Sequence, residues 1–456
     1  MTARRWLADL AWLPGQGLSR DVLIEADGER FTAVTPGASA EGAGAERLPG
    51  LTLPGFANAH SHAFHRALRG TTQAGRGTFW TWRERMYQVA ARLDPDSYLA
   101  LARATYAEMA LAGISCVGEF HYLHHQPDGR PYADPNAMGR ALIQAAAEAG
   151  LRITLLDACY LTGGLDKTGV LPLEGPQIRF GDGDADRWAA RVQALGPDSH
   201  GMIGPHAQAG AAIHSVRAVP PEHMHPIVAW THQHGTPLHV HMSEQRAEND
   251  ACRAVYGVTP ARLLYDEDVL GPRTSVVHAT HVNSADLHLL GGARAFACLC
   301  PTTERDLGDG LAPARPLAAA GCTLTLGSDS HAVIDMLEEA RGVEYSERLA
   351  RRSRGHFDAG SLLTAATASG HASLGWPDAG EIAPGAWADL VTVALDSIRT
   401  AGAPAEVALE TAVFAATATD VRHVVISGRD VVRDGAHLLI GDVVGELARA
   451  IRAAIC

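Results

Sequence analysis

Short apolar runs alternate with alanine-rich segments through most of the chain. The apolar runs have the length and composition of buried strands, and the segments between them have the length of helices. From residue 51 to residue 374 this alternation gives eight strand-then-helix units. The strands are predicted at residues 51–53, Ile114–His121, residues 153–159, 202–205, 237–241 and 275–277, Phe296–Leu299 and Thr323–Leu326. Eight such units predict an α/β fold, a (β/α)₈ TIM-type barrel, with its chemistry at the carboxyl ends of the strands.

The alanine-rich segments favour helices because alanine has the highest helix propensity. The predicted helices include Pro95–Leu111 and residues 136–149, 187–195, 221–234, 336–352 and 359–374.

Both ends of the chain show the weak apolar-polar alternation of short strands instead. Strand character occurs at residues 22–25, 31–34 and 380–391, and residues 424–435 resemble a hairpin. We expect residues 1–50 and 377–456 to form one small β-sandwich-like domain from both chain ends, and residues 51–376 to form the barrel.

Composition indicates a globular protein whose partners are small molecules. Hydrophobic residues make up 46% of the chain and charged residues 20%. A net charge of −13 argues against nucleic acid as the partner, and no apolar run is long enough to span a membrane. The seven cysteines are scattered and odd in number, which predicts reduced core thiols. With no apolar segment behind the first residues, we expect a cytoplasmic protein.

Two histidines follow the Pro54-Gly55 break, in the order His60-Ser-His62. In an extended backbone, side chains two residues apart point to the same side, so both imidazoles can face one ion. Zinc requires four ligands, or three and a water, so other strands must supply the rest.

Further polar groups fall at the ends of later predicted strands. His241 and Glu244 follow the fifth strand, His278 the sixth and Asp329 the eighth. The parallel arrangement brings these ends to one barrel mouth. Two choices stay open on spacing alone. His239 would face the same side as His241 one layer deeper, and His281 is an alternative to His278, and we prefer the residue nearer each strand end.

The residue types suit hydrolysis with a metal ion. Three neutral imidazoles (His60, His62, His241) and the carboxylate of Asp329 can hold one divalent ion and leave a position for water, whose pKa the ion lowers toward neutrality. Asp329 is placed to take the proton of that water. Glu244 can carry a proton to a leaving nitrogen, and His278 can orient the nucleophile or stabilise charge. Zinc fits best, although iron and manganese also accept such ligands.

This pattern resembles the amidohydrolase superfamily over nearly the whole chain, including Gly385-Ala-Trp-Ala-Asp389 in the C-terminal sheet region. Many members of that superfamily bind two metals bridged by a carboxylated lysine on the barrel. The chain has one lysine, Lys167, in a glycine-rich loop after the third strand. The resemblance therefore implies the one-metal, deaminase-like branch.

Several longer strings are similar to a group of deiminases in that branch that act on N-formimidoyl-L-glutamate. They are Asn58-Ala-His-Ser-His-Ala-Phe-His-Arg66, Phe79-Trp-Thr-Trp-Arg-Glu84, Gly118-Glu-Phe-His-Tyr122-Leu-His-His125, His214-Ser-Val-Arg217, Val276-Val-His-Ala-Thr-His281 and Leu307-Gly-Asp-Gly310. The resemblance implies release of ammonia from this dicarboxylate during histidine degradation, by a homodimer. His65 departs from the pattern, in which glutamine is expected.

A substrate with two carboxylates requires placed cations in so acidic a protein. Arg83 and Arg217 are the candidates, with Tyr122 and His214 as further donors. Each has an alternative role: Arg83 on a solvated helix face, Arg217 paired with a surface acid, and Tyr122 in the core. Two other functions also fit a barrel of this kind, namely a hydrolase of cyclic aminated bases and a metal-free scaffold protein.

Overall fold

The structure, a computed structural model, describes residues 3–38 and 44–455. In chain order these residues form nineteen strands: β1 (Arg4–Leu13), β2 (Gly17–Asp27), β3 (Arg30–Thr35), β4 (Glu46–Pro54), β5 (Phe56–Ser61), β6 (Ile114–His121), β7 (Arg152–Cys159), β8 (Gly164–Asp166), β9 (Gly169–Leu171), β10 (Met202–Gly204), β11 (Ala207–Ser215), β12 (Leu238–Met242), β13 (Thr274–His278), β14 (Phe296–Leu299), β15 (Thr323–Leu326), β16 (Leu390–Val393), β17 (Val421–Ile426), β18 (Arg429–Arg433) and β19 (Ala436–His437).

The same residues form fifteen α-helices: α1 (Phe79–Ala90), α2 (Pro95–Leu111), α3 (Ala137–Ala149), α4 (Ala185–Gln193), α5 (Met224–His234), α6 (Arg246–Tyr256), α7 (Pro260–Asp266), α8 (Ser284–Gly292), α9 (Pro301–Leu307), α10 (Ala314–Ala320), α11 (Met336–Arg351), α12 (Ala359–Ala366), α13 (Ala368–Ser373), α14 (Ala408–Phe414) and α15 (Val443–Ile455). Short 3₁₀ helices add Ala63–Leu68, Gly175–Arg179, Pro221–His223, Ala405–Val407 and Ala418–Asp420. No helix in the described ranges combines the length and apolar character needed to cross a bilayer.

Eight parallel strands form the barrel sheet, in the order β5-β6-β7-β11-β12-β13-β14-β15. A single bridge between Ser61 and Asp329 joins the first strand to the end of the eighth, so the barrel is nearly closed. The predicted (β/α)₈ barrel is confirmed. Its second, seventh and eighth strands have the predicted bounds, as does helix α2.

Two predicted barrel strands are wrong. Residues 51–53 belong to β4, which lies between β1 and β16 in the other sheet, and the first barrel strand is β5. Residues 202–205 overlap β10, which pairs antiparallel with the true fourth strand, β11. Because β11 reads Ala-Gln-Ala-Gly-Ala-Ala-Ile-His-Ser, it has few of the β-branched residues that mark a strand.

The small sheet combines both ends of the chain, as predicted, in the order β19-β18-β17-β16-β4-β1-β2-β3. The hairpin predicted at residues 424–435 is β17 and β18, whereas residues 380–391 contribute only the start of β16. The helix predicted at 359–374 is interrupted at Thr367. The domain limits at residues 50 and 376 stay a prediction.

The six cysteines in the described part of the chain are free and buried, as predicted, and Cys456 lies outside it.

A buried ion pair connects the barrel to the small sheet at the end opposite the strand carboxyl termini. Both terminal nitrogens of Arg152, at the start of β7, donate to the carboxylate of Asp389, which precedes β16. Asp389 also accepts a hydrogen bond of 2.8 Å from the amide of Ser427. Both side chains are about 1% exposed, so neither charge has water to solvate it. The pair therefore holds the two sheets together only while both partners are present.

We expect Arg152→Met to lower the free energy of unfolding by about 3–5 kcal/mol, because it leaves the Asp389 carboxylate buried without its cation. The double variant Arg152→Met, Asp389→Leu removes both charges and should regain much of that loss. Denaturant unfolding followed by circular dichroism measures both values. A single variant as stable as the wild type would show that the pair does not hold the sheets together.

Candidate active site

A cavity opens at the carboxyl ends of the barrel strands, where the predicted site residues converge. Nine of the ten line it, and the tenth, His60, is fully buried beneath. The lining residues are His62, His65, Phe79, Trp82, Arg83, Met86, Tyr87, Tyr122, Tyr160, Phe180, His214, Arg217, His241, Glu244, His278, Leu307 and Asp329. Strands β5, β12, β13 and β15 supply the polar floor, and α1 supplies much of one wall.

Four buried groups meet at the floor of the cavity. One atom each from His60, His62, His241 and Asp329 lies within 4.8 Å of all the others. Nε2 of His60 lies 3.0 Å from Nε2 of His241 and 3.4 Å from Oδ1 of Asp329. Nε2 of His62 lies 3.4 Å from the same Oδ1. Three histidine nitrogens and one carboxylate oxygen thus surround a single point.

Hydrogen bonds to the main chain determine which nitrogen each imidazole presents. Nδ1 of His62 donates to the carbonyl of Phe120 over 2.9 Å, and Nδ1 of His241 to the carbonyl of His214 over 2.8 Å. A neutral imidazole that donates from Nδ1 offers a lone pair at Nε2. Both lone pairs therefore point at the shared centre.

The charges of these groups also suit a cation. Burial lowers the pKa of His62 to about 3 and lowers the pKa of His60 and His241 as well, so the imidazoles are neutral. Burial alone would raise the pKa of Asp329, but its interactions with His60 and His278 outweigh that effect and keep it ionised.

The donor set fits a divalent metal ion. Lone pairs from His62, His241 and Asp329 converge on His60, whose ring can supply at most one proton to share among them. A divalent ion would satisfy all four donors, which are of the types that zinc and related metals accept. A second cluster, His121, His124 and Asp157, fits less well because Arg191 and Trp188 already occupy both oxygens of Asp157.

Glu119 anchors the segment that carries the first two histidines, and the sequence analysis assigned it no role. Its carboxylate accepts hydrogen bonds of 2.7 Å from the hydroxyl of Ser61 and from the amide of Ala63. Burial raises the pKa of Glu119 to about 8. The residue lies on β6 within the string Gly118-Glu-Phe-His-Tyr122. Its place in that string was the only feature of the sequence that could have pointed to its role.

Glu244 and His278 face each other beside the four-group centre. Oε1 of Glu244 lies 3.8 Å from Nε2 of His278, and the same nitrogen lies 3.9 Å from Oδ2 of Asp329. Burial raises the pKa of Glu244. Burial opposes a charge on His278, but the carboxylates of Glu244 and Glu304 outweigh it and raise the pKa of His278 well above its usual value.

Glu304 is a further buried carboxylate at this position that the sequence analysis missed. Oε1 of Glu304 lies 3.5 Å from Nδ1 of His278 and accepts a hydrogen bond of 3.0 Å from the amide of Cys300. It lies in the first turn of α9, the helix that directly follows β14, so its closeness to a strand end was a usable signal. Nearby Asp309 is also buried, and burial raises its pKa to about 8. One of its carboxylate oxygens, Oδ2, has no hydrogen-bond partner in the described structure.

Left-handed backbone conformations cluster at these strand ends. Ser243, His278, Ala279, Asp329 and His331 all have φ between 43° and 72°. Residues other than glycine adopt this conformation at an energetic penalty, and such residues concentrate at functional sites. Here they occur where β12, β13 and β15 end, and two of them, His278 and Asp329, line the cavity.

The two predicted arginines have different surroundings. The guanidinium of Arg83 lies 4.5 Å above the ring of Trp80 and 5.6 Å from the ring centre of Tyr87, and no described carboxylate lies within 4.0 Å of it. Arg217 lies 3.8 Å from Glu244 and 3.6 Å from Glu248. Arg83 therefore brings an unpaired positive charge to the cavity.

The other predicted donors also reach the cavity. The hydroxyl of Tyr122 lies 2.9 Å from Nε2 of His65, so the residue that departs from the expected glutamine contacts a predicted substrate donor. His214 lies close enough to the hydroxyl of Ser215, at 3.3 Å, for a hydrogen bond.

The alternatives left open by spacing are placed apart from the centre. His239 lies on β12 with its Nε2 3.1 Å from the carbonyl of Ser373, and His281 hydrogen-bonds the carbonyl of Asp309 over 2.9 Å. Lys167 is exposed in the turn between β8 and β9. It is therefore not positioned to bridge two metals in the barrel.

Comparisons with known proteins agree with this geometry. The model of the amidohydrolase family matches residues 51–431. A formimidoylglutamate deiminase of Pseudomonas aeruginosa is 38% identical over 94% of this chain and 95% of that protein. An 8-oxoguanine deaminase of the same organism is 31% identical over 77% and 76% of the two chains. The crystal structure of an amidohydrolase from Brucella melitensis has a TM-score of 0.89 and 33% identity, covering 99% and 100%.

We expect the purified protein to hold about one divalent ion per chain, as a four-ligand site would. Mutation of a residue that only hydrogen-bonds a metal ligand lowers metal affinity roughly 10–100-fold. Loss of a ligand itself, in His241→Asn, should therefore weaken binding at least that much. His239→Asn is the matched control, since His239 is equally buried on the same strand and lies outside the centre. Elemental analysis after dialysis gives the ion content. Loss of the ion from His239→Asn but not from His241→Asn would assign ligation to His239.

Proposed function

The chain belongs to the amidohydrolase family and is a hydrolase that acts on C–N bonds, and from this premise we propose that its substrate is N-formimidoyl-L-glutamate. Hydrolysis of the formimidoyl group would give N-formyl-L-glutamate and ammonia. The proposal is supported by the 38% identity to a formimidoylglutamate deiminase over 94% of the chain. It is supported independently by the side chains that line the cavity.

One observation carries the choice of substrate: two arginines share the cavity with the four-group centre. The protein has a net charge of −13, so a dianion approaches it only where local cations outweigh that field. Arg83 has no carboxylate partner in the described structure, and its planar guanidinium can bind a substrate carboxylate with two hydrogen bonds. Arg217, Tyr122 and His214 line the same cavity and would hold the second carboxylate.

His60, His62, His241 and Asp329 would hold the metal ion. When bound, a divalent ion supplies Lewis acidity and lowers the pKa of a water molecule bound to it toward neutrality. The ionised carboxylate of Asp329 would accept a proton from the attacking water, whose oxygen would bond to the formimidoyl carbon while the C=N bond becomes single. That carbon becomes tetrahedral, with one oxygen and two nitrogens, and one nitrogen must then leave.

Glu244 and His278 serve the departure of ammonia. Because burial raises the pKa of Glu244, it favours the protonated carboxyl group, which can deliver its proton to the nitrogen that leaves. His278 lies 3.5 Å from Glu304 and 3.9 Å from the ionised Asp329, which favour its positive charge while Glu244 carries its proton, so it stabilises the negative charge that develops on oxygen. The nitrogen of the former C=N bond takes the Glu244 proton and then the proton held by Asp329, while the new hydroxyl group gives its proton to Glu244. The C–N bond then breaks, ammonia departs, the carbonyl of the formyl group forms and both carboxyl groups return to their starting states.

A second candidate function is hydrolysis of a cyclic aminated base. The observation in its favour is the 31% identity to an 8-oxoguanine deaminase over 77% of the chain. A neutral ring would require stacking surfaces and amide-like donors around it. The wall of this cavity does present aromatic rings, but it also presents Arg83 and Arg217, whose charges a neutral ring would leave without a partner, and we therefore favour the dicarboxylate.

Four further parts of the proposal concern the protein's setting. We propose that the ion is zinc, since three imidazoles and one carboxylate are a ligand set that zinc accepts. We also propose that the protein acts in histidine degradation, that it functions in the cytoplasm and that it forms a homodimer. These parts follow from the resemblance to the deiminases that act on formimidoylglutamate.

The first test is ammonia release from N-formimidoyl-L-glutamate beside a panel of aminated bases. We expect turnover of the dicarboxylate alone, and we expect Arg83→Met to lower kcat/KM by roughly tenfold to a hundredfold, the value of one charge-assisted hydrogen-bond pair. Arg85→Met is the matched control, because Arg85 lies on the same helix but is exposed and outside the cavity. Turnover of a base, or equal effects of the two substitutions, would overturn the substrate assignment.

Glu244→Gln removes the carboxyl group that delivers the proton while leaving the four ligand groups intact. We expect kcat to fall by about 10²–10⁴, the usual contribution of a general acid or base, with unchanged ion content. Steady-state kinetics and elemental analysis on one preparation measure both. If the ion were lost together with activity, Glu244 would belong to the metal centre rather than to proton transfer.

A further inference from the structure

Arg179 is a fully buried arginine that has no carboxylate within 4.0 Å in the described structure. It ends the 3₁₀ helix Gly175–Arg179, in the connection between β9 and α4. Its guanidinium group is used instead on main-chain carbonyl oxygens. Burying a cation without an anion beside it costs considerable free energy. An arginine that is buried on three hydrogen bonds to neutral oxygens therefore requires an explanation.

Two of these carbonyls lie at the end of α1 and in the short connection that follows it. Nη1 of Arg179 donates to the carbonyl of Ala90, the last residue of α1, and Nη2 donates to the carbonyl of Leu93 over 2.8 Å. The carbonyls at a helix C-terminus lack partners within the helix and carry partial negative charge, so a guanidinium satisfies both needs. Helix α1 carries Arg83, and with it four more residues of the cavity wall: Phe79, Trp82, Met86 and Tyr87.

The third carbonyl belongs to the loop that follows β6. Nε of Arg179 donates to the carbonyl of His125 over 2.9 Å. In return, the carbonyl of Arg179 accepts hydrogen bonds from the amides of His124 and His125, over 3.2 and 2.9 Å. This loop begins at Tyr122, whose hydroxyl reaches the cavity. One side chain thus ties together two segments that are far apart in sequence and that each present a proposed substrate-binding group.

Neighbours of Arg179 extend the same support. Nε2 of Gln177 lies 3.0 Å from the hydroxyls of both Tyr87 and Tyr160, which line the cavity. The ring of Phe180 contacts the ring of Tyr122, with 5.2 Å between centroids. The segment from Gln177 to Phe180 therefore lies directly behind the wall that faces the substrate.

We propose that Arg179 is a positioning residue for the glutamate part of the substrate: it fixes α1, and so Arg83, against the loop that carries Tyr122. The four-group centre lies on β5 and β12 and just after β5 and β15, and the side chain of Arg179 has no hydrogen bond to any of these segments in the described structure. Loss of Arg179 should therefore weaken binding of the dicarboxylate and leave the chemical step nearly unchanged. This inference rests on the proposed function in taking Arg83 and Tyr122 as substrate-binding groups.

The test compares Arg179→Met and Arg179→Lys with the wild type in turnover of N-formimidoyl-L-glutamate. For Arg179→Met we expect KM to rise roughly tenfold to a hundredfold, about what the charge-assisted hydrogen bonds of a displaced Arg83 contribute to binding. We expect kcat to stay within about threefold, which is the pattern of lost binding shared by substrate and transition state. The KM of Arg179→Lys should lie between those of the wild type and Arg179→Met, because an ammonium group can reach only some of the three carbonyls.

Arg341→Met is the matched control. Arg341 is also buried and donates to two main-chain carbonyls, those of Leu337 and Ala416, but it lies on α11, which contributes no residue to the cavity. We expect its KM to equal that of the wild type. An unchanged KM in Arg179→Met, or an equal rise in Arg341→Met, would overturn the proposal. If Arg179→Met does not fold, Arg179→Lys decides by the same criterion.

Hydrogen exchange separates this proposal from the proposed function, because it requires no substrate. In Arg179→Met we expect faster exchange in peptides covering α1 and the loop after Tyr122, with β12 and β15 unchanged. A wild type that does not turn over formimidoylglutamate would overturn the substrate assignment, and the exchange pattern would then decide the positioning role. Uniform faster exchange, or none, would overturn the role of Arg179.

Discussion

The site depends on holding four polar groups around one point. Three of them present lone pairs there, and the fourth, the imidazole of His60, can supply at most one proton to share among them. His62 and His241 present Nε2 lone pairs because their Nδ1 atoms donate to the carbonyls of Phe120 and His214. Asp329 adds an ionised carboxylate, and His60 stands 3.0 Å from His241. Such an arrangement is unfavourable in the absence of a cation and would collapse on a flexible scaffold.

The protein prevents it by attaching each donor to backbone that cannot move independently. Residues 60–63 are fixed by Glu119 on the neighbouring strand, and Asp329 is joined to Ser61 by the bridge that nearly closes the barrel. The left-handed residues at the ends of β12, β13 and β15 add local strain. The stability that offsets this strain must come from elsewhere, namely the apolar layers of the barrel and contacts such as Arg152 with Asp389.

The fold and the four-group centre could be predicted from the sequence because both follow a regular pattern of residues, whereas the supporting groups follow none. Strand-then-helix alternation predicted the barrel, and polar residues at the strand ends indicated the centre. Strand β11 was missed because alanine and glycine give it no strand signature, and residues 51–53 were misassigned because a run buried in either sheet looks the same. Glu119, Glu304 and Arg179 are charged residues in the interior, and only long-range contacts distinguish such residues from surface ones.

The two halves of the cavity have different structural origins, and this bears on how such a site acquires its substrate. The four-group centre comes from the ends of barrel strands, where a shift of one residue would disturb the sheet. The groups proposed to bind the glutamate part come from α1, from the end of β11 and from the loops after β6 and β11. The segment around Arg179 holds α1 and the loop after β6. A change in that outer layer can alter what is bound without moving the centre. The arginines are therefore the residues on which the choice between a dicarboxylate and a neutral base depends.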